Sequence, residues 1–207
     1  MARKPAHEQF DTLKAIQDCA FDLFGRYGYD GVSIGDISTA AKLSKGALYW
    51  HYTSKEALYL ACLRRLHALF DSYIFDVMRA EADPVAAVLA LFNGISRLLQ
   101  DPLVRNGIAG YWLIPDSPDT AELAAGQRAF EARSVEVIRS VLARGVELGH
   151  FDFGDDLDDM SRAIISIVEA VVLPLRHATP EEVRRTLGVL ARTLFRAYDK
   201  RGLLPQF

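Results

Sequence analysis

Residues 42–55 carry Lys42, Lys45, His51 and Lys55 and no carboxylate. Hydroxyls (Ser44, Thr53, Ser54) and aromatics (Tyr49, Trp50, Tyr52) lie between them. Positive charge beside short hydroxyl donors is chemistry for holding phosphate by point charge and hydrogen bond. Residues 1–55 net +1 and the remainder nets −4, so this is a local positive face on an acidic chain of net charge −3. Other chemistries lack their residues. His7, His51, His67, His150 and His177 are scattered, and there is no Ser/His/Asp or Cys/His constellation, phosphate-cradling glycine loop or metal-ligand spacing. A helical enzyme would need groups that converge only in space. The acidic run at 152–159 beside His150 tempts a metal reading, but carboxylates at a helix N-terminus complement its dipole. No metal and no cofactor are expected. Cys19 and Cys62 sit within helical patterns and make no redox pair.

The elements that must position the basic stretch are helical. With 207 residues the chain is one large domain or two small ones. No apolar run reaches the roughly 18 residues of a spanning helix, and no apolar stretch follows the basic residues at the start, so neither a membrane nor a secretory role is expected. A cytoplasmic protein is the resulting expectation. Leu13, Ile16, Ala20, Leu23, Phe24 and Tyr27 mark one face of a helix over 7–27, stopped by Gly28. Ser33 is a natural N-cap, with Asp36 in the capping-box position, and the second helix runs to about Ala41. Lys42-Leu43-Ser44 turns the chain into a third helix ending near Tyr52, and Ser54 caps a fourth running to about Ala82. Further helices are expected over 85–99, 103–114 and 120–148, over 157–173 where Pro174 should end or kink the last of them, and over 180–201 opened by Thr179-Pro180. The class is all-α with about nine helices, divided into 1–55 and 56–207.

Ser33 to Lys55, SIGDISTAAKLSKGALYWHYTSK, fits a helix-turn-helix. Ile34, Ile37 and Ala41 supply the inner face of the first short helix, Leu43 plugs the turn, and Leu48 faces inward from the second. Ser44, Gly46 and Ala47 keep the leading end of that second helix small enough for a groove about 12 Å wide, with Lys45 as the one long reach. Trp50 and Tyr52 read as core aromatics and Tyr49 as a contact.

The run Leu43 to Leu58, LSKGALYWHYTSKEAL, together with the upstream Leu23-Phe24, Gly28-Tyr29, Gly31-Val32-Ser33-Ile34 and Ile37, resembles the tetracycline-repressor (TetR) family over about residues 13–62. The resemblance implies a dimeric regulator of double-stranded DNA, most often a repressor, released by a small molecule. It implies DNA-facing roles for Ser33, Ser44, Lys45, Gly46, Ala47, Tyr49, His51 and Lys55. Arg3 and Lys4 could track a minor groove. Two positions depart from the family pattern. Ala47 stands where threonine is frequent, and Lys42 where glycine is frequent. A left-handed Lys42 would cost about 1 kcal/mol.

The larger part is apolar on more than one face. Ile164, Ile167, Val171 and Leu175, with Leu187, Leu190, Leu194 and Tyr198, suit a four-helix interface between two copies, which is how the family dimerises. Two recognition helices about 34–36 Å apart would then read a near-palindrome. An effector pocket is expected among Phe92, Ile108, Tyr111, Trp112, Phe130 and Val168, with Asn93, Arg97 and Glu169 as polar candidates, although such aromatics are also ordinary core. Glu169 interrupts an apolar face and needs an ion-pair partner or a ligand.

Overall fold

The computed structural model describes residues 6–198 other than 106, 116, 154 and 155. Its helices are α1 (Ala6–Tyr27), α2 (Ile34–Ala40), α3 (Lys45–His51), α4 (Lys55–Phe70), α5 (Asp76–Ala80), α6 (Pro84–Leu98), α7 (Pro102–Arg105), α8 (Ala121–Glu147), α9 (Leu157–Leu175) and α10 (Pro180–Tyr198). A π turn, Asp71–Phe75, joins α4 to α5, so the two form one interrupted helix, and nine helices result among the described residues. No strand occurs among them.

Three expectations need correction. The helix expected over 103–114 stops at Arg105, and Ala109–Trp112 is a 3-10 turn. Between them Gly107 has φ 136, outside the helical region. The fourth helix is broken by the π turn and ends at Ala80. Pro174 lies inside α9, which ends one residue beyond it at Leu175 rather than at Leu173, so any disturbance from the missing N–H is confined to the last turn. Residues 199–201 of the last expected helix, and Arg3 and Lys4, lie outside the described residues.

The chain divides into two compact units, Met1–Leu66 with Asn106–Gln127, and His67–Arg105 with Arg128–Phe207. The first unit therefore takes in more than residues 1–55. Aromatic packing accounts for the addition. Phe21, Phe24, Tyr59 and Tyr111 are all at most 2% exposed. Their rings pair at centroid distances of 5.3 Å (Phe21–Tyr111 and Tyr59–Tyr111) and 4.8 Å (Phe24–Tyr59). The Tyr111 hydroxyl donates to the Phe21 carbonyl at 3.0 Å, and the Tyr59 hydroxyl to the Gly110 carbonyl at 3.2 Å. Buried phenols need such acceptors, and here backbone supplies them. The approach is close because glycines face backbone on both sides. A Cβ on Gly110 would lie within contact of the Phe24 carbonyl oxygen and 2.6 Å from the Gly28 nitrogen. One on Gly25 would meet the Gly107 carbonyl carbon at 3.0 Å.

Cys62 is buried in this unit, and burial pushes its thiol up to about 12. Only the thiolate reacts at a useful rate. We expect iodoacetamide at pH 8 to leave Cys62 unmodified in the native protein and to label it once urea is added. Peptide mass mapping checks this, and rapid native labelling would contradict it.

In the second unit, α8 contributes Val137, Ile138, Val141 and Leu142 to the core, α9 Ile164, Ile165 and Val172, and α10 Val183, Leu187, Ala191 and Phe195. His67 stacks on Phe130 at 4.0 Å with rings nearly parallel. The π turn packs on α6, where Arg97 donates to the Tyr73 carbonyl at 3.3 Å and the Tyr73 hydroxyl donates to Asp101 at 2.9 Å.

Candidate nucleic-acid interface

Local hydrogen bonds fix both short helices before any packing acts. Ser33 caps α2 through a reciprocal box. Its Oγ accepts from the Asp36 N–H at 3.2 Å, while the Asp36 carboxylate accepts from the Ser33 N–H at 2.8 Å and the Ser33 hydroxyl at 2.7 Å. Those two bonds, with the Lys45 ammonium adding to them, hold the Asp36 carboxyl below the usual carboxylate range. The Ser33 hydroxyl proton is thus spent inside the box, so a phosphate bond from Ser33 would have to break it.

The turn closes through Lys42 N–H to Thr39 O at 3.1 Å and Leu43 N–H to Ser38 O at 2.9 Å. Lys42 has φ 56, left-handed, at the position where the family favours glycine. We expect Lys42→Gly to stabilise the protein by about 1 kcal/mol and to raise Tm by roughly 2–4 °C. An unchanged or lower Tm in thermal unfolding would contradict this.

Ser44 caps α3, its Oγ accepting from the Ala47 N–H at 3.1 Å. Unlike Ser33, it has no hydroxyl donation fixed by the cap. Leu48, fully buried, anchors α3. Lys45, Gly46, Tyr49 and Trp50 are exposed, and Ala47 and His51 are half-buried. Ser54 caps α4 by accepting from the Ala57 N–H at 3.0 Å. The Lys55 ammonium, in the first turn of α4, lies 4.1 Å from the centre of the Tyr29 ring. Gln17 of α1 donates to the Tyr52 hydroxyl at 2.8 Å.

The structure corrects the sequence reading here. Tyr52 is half-buried, as expected of a core-facing ring, but Trp50 is 80% exposed. The buried face of α3 is narrow, and Leu48 occupies it, leaving Trp50 no inward path. Lys45, the expected long reach, lies over α2. A Cβ on Gly35 would sit 3.3 Å from its Cε and 3.4 Å from its Nζ.

The expected effector residues fall in both units. Ile108 and Tyr111 are core of the first unit, and Trp112 lies beside them in the same 3-10 turn. Asn93 and Arg97 are on the exposed side of α6. Phe130 is buried under His67. Glu169 is half-buried; burial, and then the neighbouring Glu131 carboxylate, hold its carboxyl above the usual range. Phe92 and Val168 do meet, in an apolar cavity of about 320 Å³ whose floor includes Leu91, Ile95 and Ile164. Its rim is Ile167, Val171, Leu190, Leu194 and Tyr198, so it collects most of the residues expected at a dimer face. Leu187 is fully buried within its own unit and Ile164 is 4% exposed, which removes both from any exposed face. In the acidic run, Asp156 caps α9 by accepting from the Asp159 N–H at 3.1 Å. Asp158 pairs with Arg139 at 2.6 Å, and Asp159 with Arg162 at 3.3 Å.

Residues 16–62 match the bacterial regulatory proteins of the tetR family. The uncharacterized HTH-type transcriptional regulator TtgW of Pseudomonas putida is 31% identical over 112 residues, covering 52% of this chain and 84% of that protein. The chain belongs to the TetR family. Within that family, the HTH-type transcriptional regulator AcrR of Shigella flexneri is 41% identical over 59 residues. That alignment covers 28% of this TetR-family chain and about a quarter (27%) of the relative's length. The solved SmeT–triclosan complex superposes with a TM-score of 0.73 at 22% identity, covering 95% of this chain and 98% of that one. This TetR-family protein therefore carries the family's fold: an N-terminal helix-turn-helix, α2–turn–α3, followed by further helices. No helix among the described residues is long and apolar enough to cross a membrane.

Proposed function

We propose that this protein is a ligand-responsive transcriptional regulator. On this reading it is a repressor that binds a near-palindromic operator in double-stranded DNA as a homodimer, and a small apolar or aromatic molecule releases it. The observation that carries the proposal is the outer face of α3. A capped helix of seven residues, pinned by Leu48, presents Lys45, Gly46, Tyr49 and Trp50 to solvent with no acid among them. That is the shape and charge a major groove accepts. Ser44, His51 and Lys55 flank this face and would contact phosphate, with Lys55 at a helix N-terminus where dipole and ammonium act together, while the Ala47 methyl would meet a thymine methyl. Residues 1–55 would form the DNA-binding domain and 56–207 the domain for effector and dimer. Action on a chromosomal operator would place the protein in the cytoplasm.

The apolar cavity supports the effector part of the proposal. Its lining carries no charged group, so it suits a neutral lipophile. The solved SmeT complex holds triclosan, a precedent for such a ligand in this fold. The partly exposed rim, Ile167, Val171, Leu190, Leu194 and Tyr198, with Leu175 at the end of α9, would be covered by the second copy. A coupling of about 1–3 kcal/mol between the two ligands would change DNA affinity roughly 5–150-fold. The test is a gel shift with DNA from upstream of the protein's own gene at low salt, repeated with lipophilic and aromatic compounds chosen by thermal shift. A retarded band dissolved by a stabilising compound is the expected result. Indifference to every duplex at low ionic strength would overturn the proposal.

A further inference from the structure

We infer that the apolar cavity of the second unit is a site shared by two copies of the chain. It takes a neutral alcohol or phenol with an apolar body, oriented by Thr193 and Tyr198. The second copy forms its lid, so ligand and dimer strengthen each other. The inference rests on the effector reading of this cavity given above, and not on DNA binding.

Residues of α6, α9 and α10 line the cavity of about 320 Å³, a volume at the lower end of small-molecule sites. Leu91, Phe92 and Val168 belong to its buried wall, whereas Ile167 on its rim is 43% exposed. Among the described lining residues none is charged, so an ion would lose its hydration and gain no partner. Two of them carry hydroxyls, Thr193 and Tyr198, both toward the C-terminal end of α10. The Thr193 hydroxyl already donates to the Val189 carbonyl at 2.9 Å, which leaves its oxygen to accept. The Tyr198 hydroxyl can donate. A ligand hydroxyl answers both, and a ketone answers only Tyr198. The lid follows from the outer side of α9. From Ala163 to Pro174 its exposed residues are Ala163, Ser166, Ile167, Ala170 and Pro174, none of them charged. A twofold contact sets a face against itself, and an uncharged face meets its copy without repulsion. The exposed side of α10, with Arg184, Arg185 and Arg196, would repel its copy. Ala163 and Ile167 belong both to that side of α9 and to the cavity lining, so a copy seated there covers the ligand.

The test uses the full chain without DNA. Calorimetry measures binding of 1-decanol, 2-decanone, decanoate and decylammonium at neutral pH, and sedimentation measures the dimer with and without 1-decanol. Decanol should bind most tightly, with each ion at least about 30-fold weaker, because an unpaired charge is costly to bury. Thr193→Val should weaken decanol about fivefold, the worth of one hydrogen bond, and leave decanone unchanged, while Tyr198→Phe should weaken both. Covering about 55 Å² of apolar ligand surface under the second copy is worth about tenfold in affinity. With one ligand per protomer, decanol should therefore tighten the dimer about 100-fold. Ala170 lies on the same side of α9 but outside the lining. Ala170→Arg should give a monomer with unchanged circular dichroism that binds decanol about tenfold more weakly. The inference is overturned if decanoate binds as well as decanol, or if Thr193→Val binds decanol as the parent does. It is also overturned if decanol leaves the dimer constant unchanged, or if Ala170→Arg remains as dimeric as the parent. If none of the compounds binds, the effector reading of the cavity falls with it, and the gel shift without compound decides DNA binding separately.

Discussion

Replacing Gly110 with alanine is expected to destabilise the protein by about 3 kcal/mol, at the upper end of overpacking penalties. The added methyl would meet backbone, the Phe24 carbonyl oxygen and the Gly28 nitrogen, and backbone cannot swing aside as a lysine stem can. Relief would require Ala109–Trp112 to lift off α1. That would also take Tyr111 from the Phe21 carbonyl and the Gly110 carbonyl from Tyr59. Gly25→Ala, facing the Gly107 carbonyl, should cost a similar amount. Gly46→Ala is the contrast. It adds a methyl that meets only Ser44 Oγ, at 3.8 Å, in a helix, where alanine is favoured by about 1 kcal/mol. Urea unfolding of the three variants measures this, and coincident midpoints for Gly110→Ala and Gly46→Ala would refute it.

Lys55→Glu should abolish operator binding while leaving stability almost unchanged. Each charged phosphate contact is worth about 1.5–3 kcal/mol, and a dimer would lose two of them, so affinity should fall at least about 100-fold. The fold loses little. The cation–π contact with Tyr29 contributes about 0.5–1 kcal/mol at an exposed site. A carboxylate in the first turn of α4 is itself favourable to the helix dipole. Lys55→Ala should give a milder loss and lower the slope of log affinity against log salt by about one unit per protomer. Filter binding from 50 to 200 mM salt distinguishes the cases. Parallel slopes for parent and Lys55→Ala would remove Lys55 from phosphate contact.

The features legible in the sequence are those set by short-range chemistry. Ser33, Ser44 and Ser54 cap their helices as expected, Asp36 completes the box, and Lys42 takes the left-handed conformation that a three-residue turn demands. These depend on residues within four positions of one another. Trp50 misleads because a large aromatic beside Leu48 reads as core until the width of the buried face is known. The effector set is ambiguous in sequence for a related reason. Ile108 and Tyr111 are as apolar as any pocket lining, but both are buried core, and Tyr111 packs on Phe21 and Tyr59, tens of residues upstream. The π turn carries no proline or glycine that would announce it. It shows only in the seating of Tyr73 and Ile74 against α6.

Because Tyr111 bonds a carbonyl 90 positions earlier, the amino-terminal head cannot be completed on the ribosome when its own helices have been made. Translation at about 5–20 residues per second leaves roughly 2–9 s between release of Leu66 and release of Trp112. Throughout that interval Phe21 and Tyr59 lack their cover. A nascent chain arrested at Leu66 should therefore leave its head protease-sensitive, and one arrested far enough beyond Gln127 to clear the ribosome should protect the head. A gene cut to the recognition helices alone would yield a sticky fragment rather than a miniature regulator.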